Sequence, residues 1–444
     1  MKIPEDFTSL TGAVKTDNGS VLFSSNKYKF TYLFDNIFKK EESKITILPE
    51  QQFIFGQTHN GFDIAVYLGK QPFEIKGNRA LNTAGFILSS GNCYKNSLKV
   101  FDAIQFSGGT LNKLFPRDSL RIDFINSKNI DFNDDSVEFS FNINNETIKV
   151  KIYSTVSANS GINGSNINTS DVLLRLEFEK KKKIESLFEY YNKLKDVISF
   201  LTNRRNVSFE KISIQTKQII NEDHYYNDSG YVYVKEEKPP TNKNFYSNIW
   251  FTDIQSALPN LFYNIFNCTE KRHIYSFGFV SETDEDSSLI SNRKVQDICT
   301  SLESELQNKK EKLPPEYTEL ISLVKKDIKI IEEKYQLDNE HFSQIKGSMS
   351  NWGDSLSDRV IKLYSEHITE ILKLPMPGFN IDETAINQFV KYRNDITHGK
   401  HRVMTQDIAN TAYAMGALSY CAFLSRIGLD SDKIAYLCER KIMS

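Results

Sequence analysis

Cysteine is scarce in this chain of 444 residues. The five present, Cys93, Cys268, Cys299, Cys421 and Cys438, form no Cys-x-x-Cys pair and no regular framework. That excludes a disulfide-stapled scaffold and a cysteine zinc ribbon, and fits reduced thiols in a cytosol. Long hydrophobic runs are missing too. Residues 412–424 make the longest apolar stretch, too short to span a bilayer and interrupted by Gly416 and Ser419, so it reads as a buried helix. Met1-Lys2-Ile3-Pro4-Glu5-Asp6 opens no apolar run, so no signal peptide is expected and the location reads as cytoplasmic, without a membrane. Charge of one sign is not in excess: 55 basic residues face 57 acidic ones, net −2. A protein that coats nucleic acid indiscriminately is excluded, and any nucleic-acid site must be local. There is no Gly-rich phosphate loop, no Gly-x-Ser-x-Gly and no His/Asp/Glu cluster at metal spacing.

What is present divides into a β-rich half and a helical half. Up to about residue 180, turn signals such as Asp17-Asn18-Gly19, His59-Asn60-Gly61 and Asn144-Asn145 alternate with short β-prone runs. The runs include 21–23, 28–32, 62–67, 122–125, 137–143, 148–153 and 173–178. Many short strands with turns between them predict a sandwich or open barrel. Residues 157–170, rich in Ser, Asn and Gly, read as a surface loop. The basic run 180–183 reads as a solvated turn, and a helical pattern follows to about 203. His59 stands alone and reads as structural.

Residues 235–244, charged and broken by Pro239 and Pro240, read as a linker. The aromatic-dense stretch 245–279 reads as core, although exposed rings could also stack on bases. Residues 281–288 hold Glu282, Asp284, Glu285 and Asp286 and read as an exposed acidic loop. From residue 292 onward, apolar stripes at spacings of three and four predict a bundle of roughly four or five helices. The expected architecture is thus α+β and multidomain: a β-rich, sandwich-like domain over 1–240, an aromatic connector over 241–285 and an all-α bundle over 286–444.

Residues 381–402 carry the chemistry. Asp382 suits an N-cap and Gly399 a C′ position, so a helix is expected between them. Ile386, Phe389, Val390 and Arg393 follow at helical spacing, which puts a cation on an apolar stripe, where it needs an acidic partner. Glu303, on the first helix of the bundle, is the candidate by position. Asn394 and His398 are four apart and share a face. Arg393 and His398 lie about 140° apart around an ideal helix, so both reach one target only if the helix end opens out. From Lys391 to Thr405 the cations Lys391, Arg393, Lys400 and Arg402 outnumber the single acid Asp395. An imidazole, a guanidinium and an amide suit RNA cleavage without a metal. The imidazole moves a proton near neutral pH, and the guanidinium holds the phosphate as charge develops. A histidine at a helix C-terminus is also favoured with no function, and an arginine in a stripe can simply pair with an acid. The residue types alone leave both readings standing.

The segment Arg393-Asn394-Asp395-Ile396-Thr397-His398 resembles the HEPN superfamily, whose nucleases carry Arg, a polar residue, and His after four to six residues. No other arginine of the chain has a histidine at that spacing. The longer context, Phe389 through Gly399, is similar to the HEPN domain of ApeA-type proteins, bacterial anti-phage factors with a β-rich N-terminal domain. The resemblance implies an endoribonuclease that needs no cofactor or metal. Arg393, Asn394 and His398 would be its catalytic set, formed across a homodimer or higher homo-oligomer. Lys391, Lys400, His401, Arg402 and Glu303 would bind RNA or support the site. It further implies abortive anti-phage defence by cleavage of transfer RNA anticodon loops, with a phage-derived trigger sensed by the β-rich domain. The alternative is a non-catalytic HEPN scaffold that dimerises and binds RNA or a partner.

Overall fold

The structure is a computed structural model and describes residues 9–16, 19–33, 44–47, 52–69, 73–76, 79–89, 98–115, 136–161, 164–220, 223–268, 277–308, 315–335, 355–374 and 381–442. The expected strand at 122–125, Tyr275 and Cys93 lie outside them. The chain forms two compact units. One comprises residues 1–266 with 282–284, the other residues 267–281 with 285–444. Together they make an α+β protein.

The first unit is built from local hairpins. Strands β1 (Ser9–Thr16), β2 (Gly19–Asn26) and β3 (Lys29–Leu33) pair antiparallel in succession, as do β5 (Phe53–Thr58) and β6 (Asp63–Tyr67). A separate ribbon joins β4 (Lys44–Ile47) to β7 (Phe73–Lys76). Then come β8 (Arg79–Asn82), β9 (Gly85–Ser89), β10 (Val100–Ser107), β11 (Val137–Ile143), β12 (Glu146–Gly161), β13 (Gly164–Lys183), β14 (Lys211–Ile220) and β15 (Asp223–Val234). Apart from the ribbon, they hydrogen-bond in one series, β11-β12-β13-β10-β14-β15-β9-β6-β5-β1-β2-β3-β8. The β-rich half is therefore one continuous antiparallel series of strands. Asn144 and Asn145 adopt φ of 48° and 64°, the left-handed pair that a tight β11–β12 hairpin requires.

Three local readings change. Residues 157–161 and 164–170 are not a loop: they continue β12 and β13, paired from Val156–Thr169 to Gly161–Gly164. Their small polar residues imitate loop composition, but backbone ladder bonds do not depend on side-chain polarity. The basic run 180–183 ends β13, where Lys182 pairs with Glu146. The 235–244 segment is no free linker. Thr241 and Lys243 are buried, Asn206 Nδ2 donates to the Pro239 carbonyl at 2.9 Å, and the Thr241 amide donates to the Asn206 carbonyl. Helix α1 (Leu187–Thr202) buries Leu194, Val197, Ile198 and Leu201. Helix α2 (Leu258–Phe266) packs Phe262 on Phe139 and Phe141, so these aromatics are core.

The second unit is helical: α3 (Asn292–Asn308), α4 (Pro315–Tyr335), α5 (Leu356–Glu366), α6 (Ile368–Ile371), α7 (Glu383–Thr397), α8 (Gln406–Arg426) and α9 (Ser431–Leu437), closed by a π-turn over Cys438–Ile442. Helix α8 is buried almost all round from Thr411 to Leu424, as its apolar run requires. It packs on α3 and α7, and Phe277 and Phe279 lie against its Phe423 and Tyr420 rings. The Cys421 and Cys438 thiols are buried, 3.3 Å apart. No helix among the described residues is long and apolar enough to cross a membrane.

Candidate active site

Helix α7 begins and ends where its sequence says it should. The Asp382 carboxylate accepts from the Ala385 amide at 2.8 Å and caps the N-terminus. Ile386, Phe389, Val390 and Tyr392 are buried, which fixes the rotation of the helix. Its C-terminus is a Schellman motif. His398 is the C-cap, Gly399 follows at φ 74°, the Gly399 amide donates to the Ile396 carbonyl at 3.2 Å and the Lys400 amide to the Asp395 carbonyl at 2.9 Å. A glycine is needed there because the left-handed backbone crowds a Cβ.

That framing places the residues singled out above. Arg393 Nη2 donates to Glu303 Oε1 of α3 at 2.8 Å, and Nη1 donates to the Asn394 side-chain oxygen at 3.2 Å. The cation on the apolar stripe thus has an acid from a neighbouring helix and the amide beside it. A second chain of bonds steadies the same turn: Thr397 Oγ1 donates to the Arg393 carbonyl at 2.8 Å, and Gln296 Nε2 reaches Thr397 Oγ1 at 3.4 Å. His398 is exposed, and its imidazole makes no hydrogen bond to any described residue. His398 closes the last turn as the C-cap, its amide donating to the Asn394 carbonyl at 3.0 Å, so the helix does not open before it and its start from the spiral stays about 140° from that of Arg393.

The supporting cations separate into two groups. Lys391 and His401 are exposed. Lys400 and Arg402 both turn back onto Asp395, Lys400 Nζ at 3.0 Å and Arg402 Nε at 2.7 Å. The Lys400 hydrogen bond foremost, with the charges of Arg402, Lys400 and Lys391, holds the Asp395 carboxyl below the usual carboxylate range against the opposing effect of burial. Tyr392, buried in α7, donates to Asn292 Oδ1 at 2.7 Å and reaches the Arg402 carbonyl at 3.5 Å. Sequence reasoning missed Asp395, Tyr392 and Gln296. For Asp395 a signal existed: a carboxylate three residues before the C-cap, with lysine at C″, puts opposite charges on both sides of the turn.

The acidic loop of 281–288 is not a free cluster. Asp284 accepts from Arg204 Nε at 3.0 Å, Thr241 Oγ1 at 2.7 Å and the Asn242 amide at 2.7 Å, while Glu282 pairs with Arg205 and Lys238. Among the described residues no three His, Cys, Asp or Glu side chains gather as a metal site. His59 accepts or donates at 3.1 Å to Thr11 Oγ1, a structural contact. A cleft of about 300 Å³ in the first unit is lined by Tyr67, Phe188, Tyr191, Lys195 and Glu236.

Comparison with known proteins bears on the helical unit. Residues 292–433 match the family model described as Apea-like HEPN. No curated protein and no solved structure gives a match. The matched segment runs from the start of α3 into α9 and contains Glu303, Arg393, Asn394 and His398, so over these residues the helical unit is similar to the Apea-like HEPN family.

Proposed function

We propose that the chain is an endoribonuclease of the HEPN type that acts in anti-phage defence. The observation that carries the reading is the end of α7: Arg393 is oriented by Glu303 and Asn394, and the C-cap of the same helix presents the exposed imidazole of His398. A guanidinium held this way presents its remaining donors to a scissile phosphate, and a solvent-facing imidazole exchanges protons near pH 7. His398 takes the proton of a ribose 2′-hydroxyl, the 2′-oxygen attacks the adjacent phosphorus, and the P–O5′ bond breaks. A second imidazole protonates the leaving 5′-oxygen, and the product carries a 2′,3′-cyclic phosphate. Two copies of the chain supply the two imidazoles, which makes a homodimer the working form. DNA lacks the 2′-hydroxyl and is spared.

The substrate is single-stranded RNA in loops, where the backbone can bring the 2′-oxygen in line with phosphorus. Transfer RNA anticodon loops fit that need, and their cleavage on infection would arrest the host in the cytoplasm. The β-rich unit, with its cleft, is the part suited to sense a phage-derived trigger.

The test is incubation of the purified protein with total bacterial RNA in EDTA, beside His398→Ala and Arg393→Ala, with and without phage lysate. Cleavage by the parent alone, leaving cyclic-phosphate ends, supports the nuclease. Equal cleavage by all three removes these residues from the chemistry. Silence throughout, lysate included, favours a non-catalytic scaffold.

A further inference from the structure

We propose that Asp395 is a positioning residue that assembles Lys400 and Arg402 into a second phosphate subsite, on the turn that follows His398. The inference rests on the ribonuclease reading and deepens it: the substrate is a strand that continues past the scissile phosphate.

The geometry is that of a clip. The Asp395 side chain is 9% exposed, whereas those of Lys400 and Arg402 are 66% and 50% exposed. The acid lies beneath and the two cations lie above it, with their outer faces in solvent. Asp395 holds Lys400 twice, by its carboxylate to Nζ at 3.0 Å and by its carbonyl to the backbone amide at 2.9 Å. Arg402 meets the carboxylate through Nε, and no hydrogen bond among the described residues occupies its terminal nitrogens. Those nitrogens form the forked edge that fits two phosphate oxygens.

Lys400, hydrogen-bonded to the buried carboxylate, and Arg402, ion-paired with it, lose less rotamer freedom on binding than free surface lysines do. The clip also springs from the turn that carries His398, so the subsite and the imidazole share one rigid base. Tyr392 adds a further tie through the Arg402 carbonyl.

Binding measured without cleavage tests this. A fluorescent single-stranded RNA decamer is titrated against full-length His398→Ala protein over a series of salt concentrations. Arg402→Ala and Asp395→Asn are then added in that background. Arg402→Ala should weaken binding about fivefold and flatten the log–log salt slope by about 0.7, the value for one phosphate contact on a single strand. Asp395→Asn distinguishes the roles by sign. It removes a negative charge, so a bystander acid predicts tighter binding, whereas loss of the clip predicts weaker binding that Asp395→Glu partly restores. Tighter or unchanged binding by Asp395→Asn overturns the proposal, as does an unchanged slope for Arg402→Ala. Unchanged binding by both variants with intact RNA cleavage by the parent sinks the subsite alone. Failure of the parent to cleave sinks the ribonuclease reading instead.

Discussion

Arg393 and Glu303 meet at 2.8 Å with side chains still 22% and 33% exposed, so their ion pair is open to water and orients more than it stabilises. Glu303→Gln should therefore change unfolding by no more than about 1 kcal/mol. It should nonetheless slow single-turnover RNA cleavage by at least about tenfold, since a misdirected guanidinium no longer meets the phosphate. Unchanged turnover would mean that Arg393 finds its own orientation.

Two residues along the same helix the balance is reversed. Glu305, 4% exposed, takes Arg426 Nε and Nη2 at 2.8 Å each. Arg426→Met removes both of these bonds from the buried carboxylate and should lower stability by about 3 kcal/mol in urea unfolding. The double change Arg426→Met with Glu305→Leu should recover most of the loss. A loss below about 1 kcal/mol in the single variant would show that water reaches the site.

Gly399→Ala probes the turn itself. Nothing lies within 4 Å of where the Cβ would sit, so only the backbone at φ 74° resists, at about 1 to 2 kcal/mol. Gly399→Asn should cost less, because asparagine tolerates that region. Thermal unfolding of the three proteins ranks them, and equal stabilities would disprove the strain.

Lys243 supplies a pH signature in the first unit. Burial, with Arg204 beside it and only Asp284 opposing, lowers its ammonium pKa from the usual lysine value to about 7. Between about 7 and 10.4 the unfolded chain holds this proton and the folded one does not, so the group's contribution to stability rises with pH across that window. At and below pH 7 the destabilisation is at its full size. Lys243→Met should raise the melting temperature most near pH 7, with the advantage shrinking towards pH 10. An advantage that stays constant would contradict the assignment.

Much of α7 was legible because each signal is local. Asp382 as cap, the Ile386–Phe389–Val390 stripe and Gly399 as terminator all act within a turn or two, and so does Thr405, which caps α8. Glu303 was readable only as an acid on a neighbouring helix, ninety residues away. The role of Asp395 was hidden because counting charge treats it as a subtraction, while its burial gives it two cations to hold. The 235–244 segment misled for a related reason. Prolines and charges suggest solvation, yet Thr241 and Asn242 find Asp284 more than forty residues on, a pairing no local pattern announces. Residues 157–170 misled because ladder bonds are blind to composition.

The Asp284 contacts bear on how the protein can be taken apart. The first unit consists of residues 1–266 and the short return 282–284, so a cut at 266 loses part of it and a cut after 284 carries residues 267–281 of the second unit along. A truncation ending at 266 keeps the strands described above and α1 and α2, but removes the Asp284 carboxylate from the buried Arg204. Loss of that carboxylate beside a buried guanidinium makes such a fragment a poor stand-in for the first unit. A protein nicked between 266 and 282 with both pieces kept together retains Asp284, and with it the closure of the segment that sequence alone took for a tether.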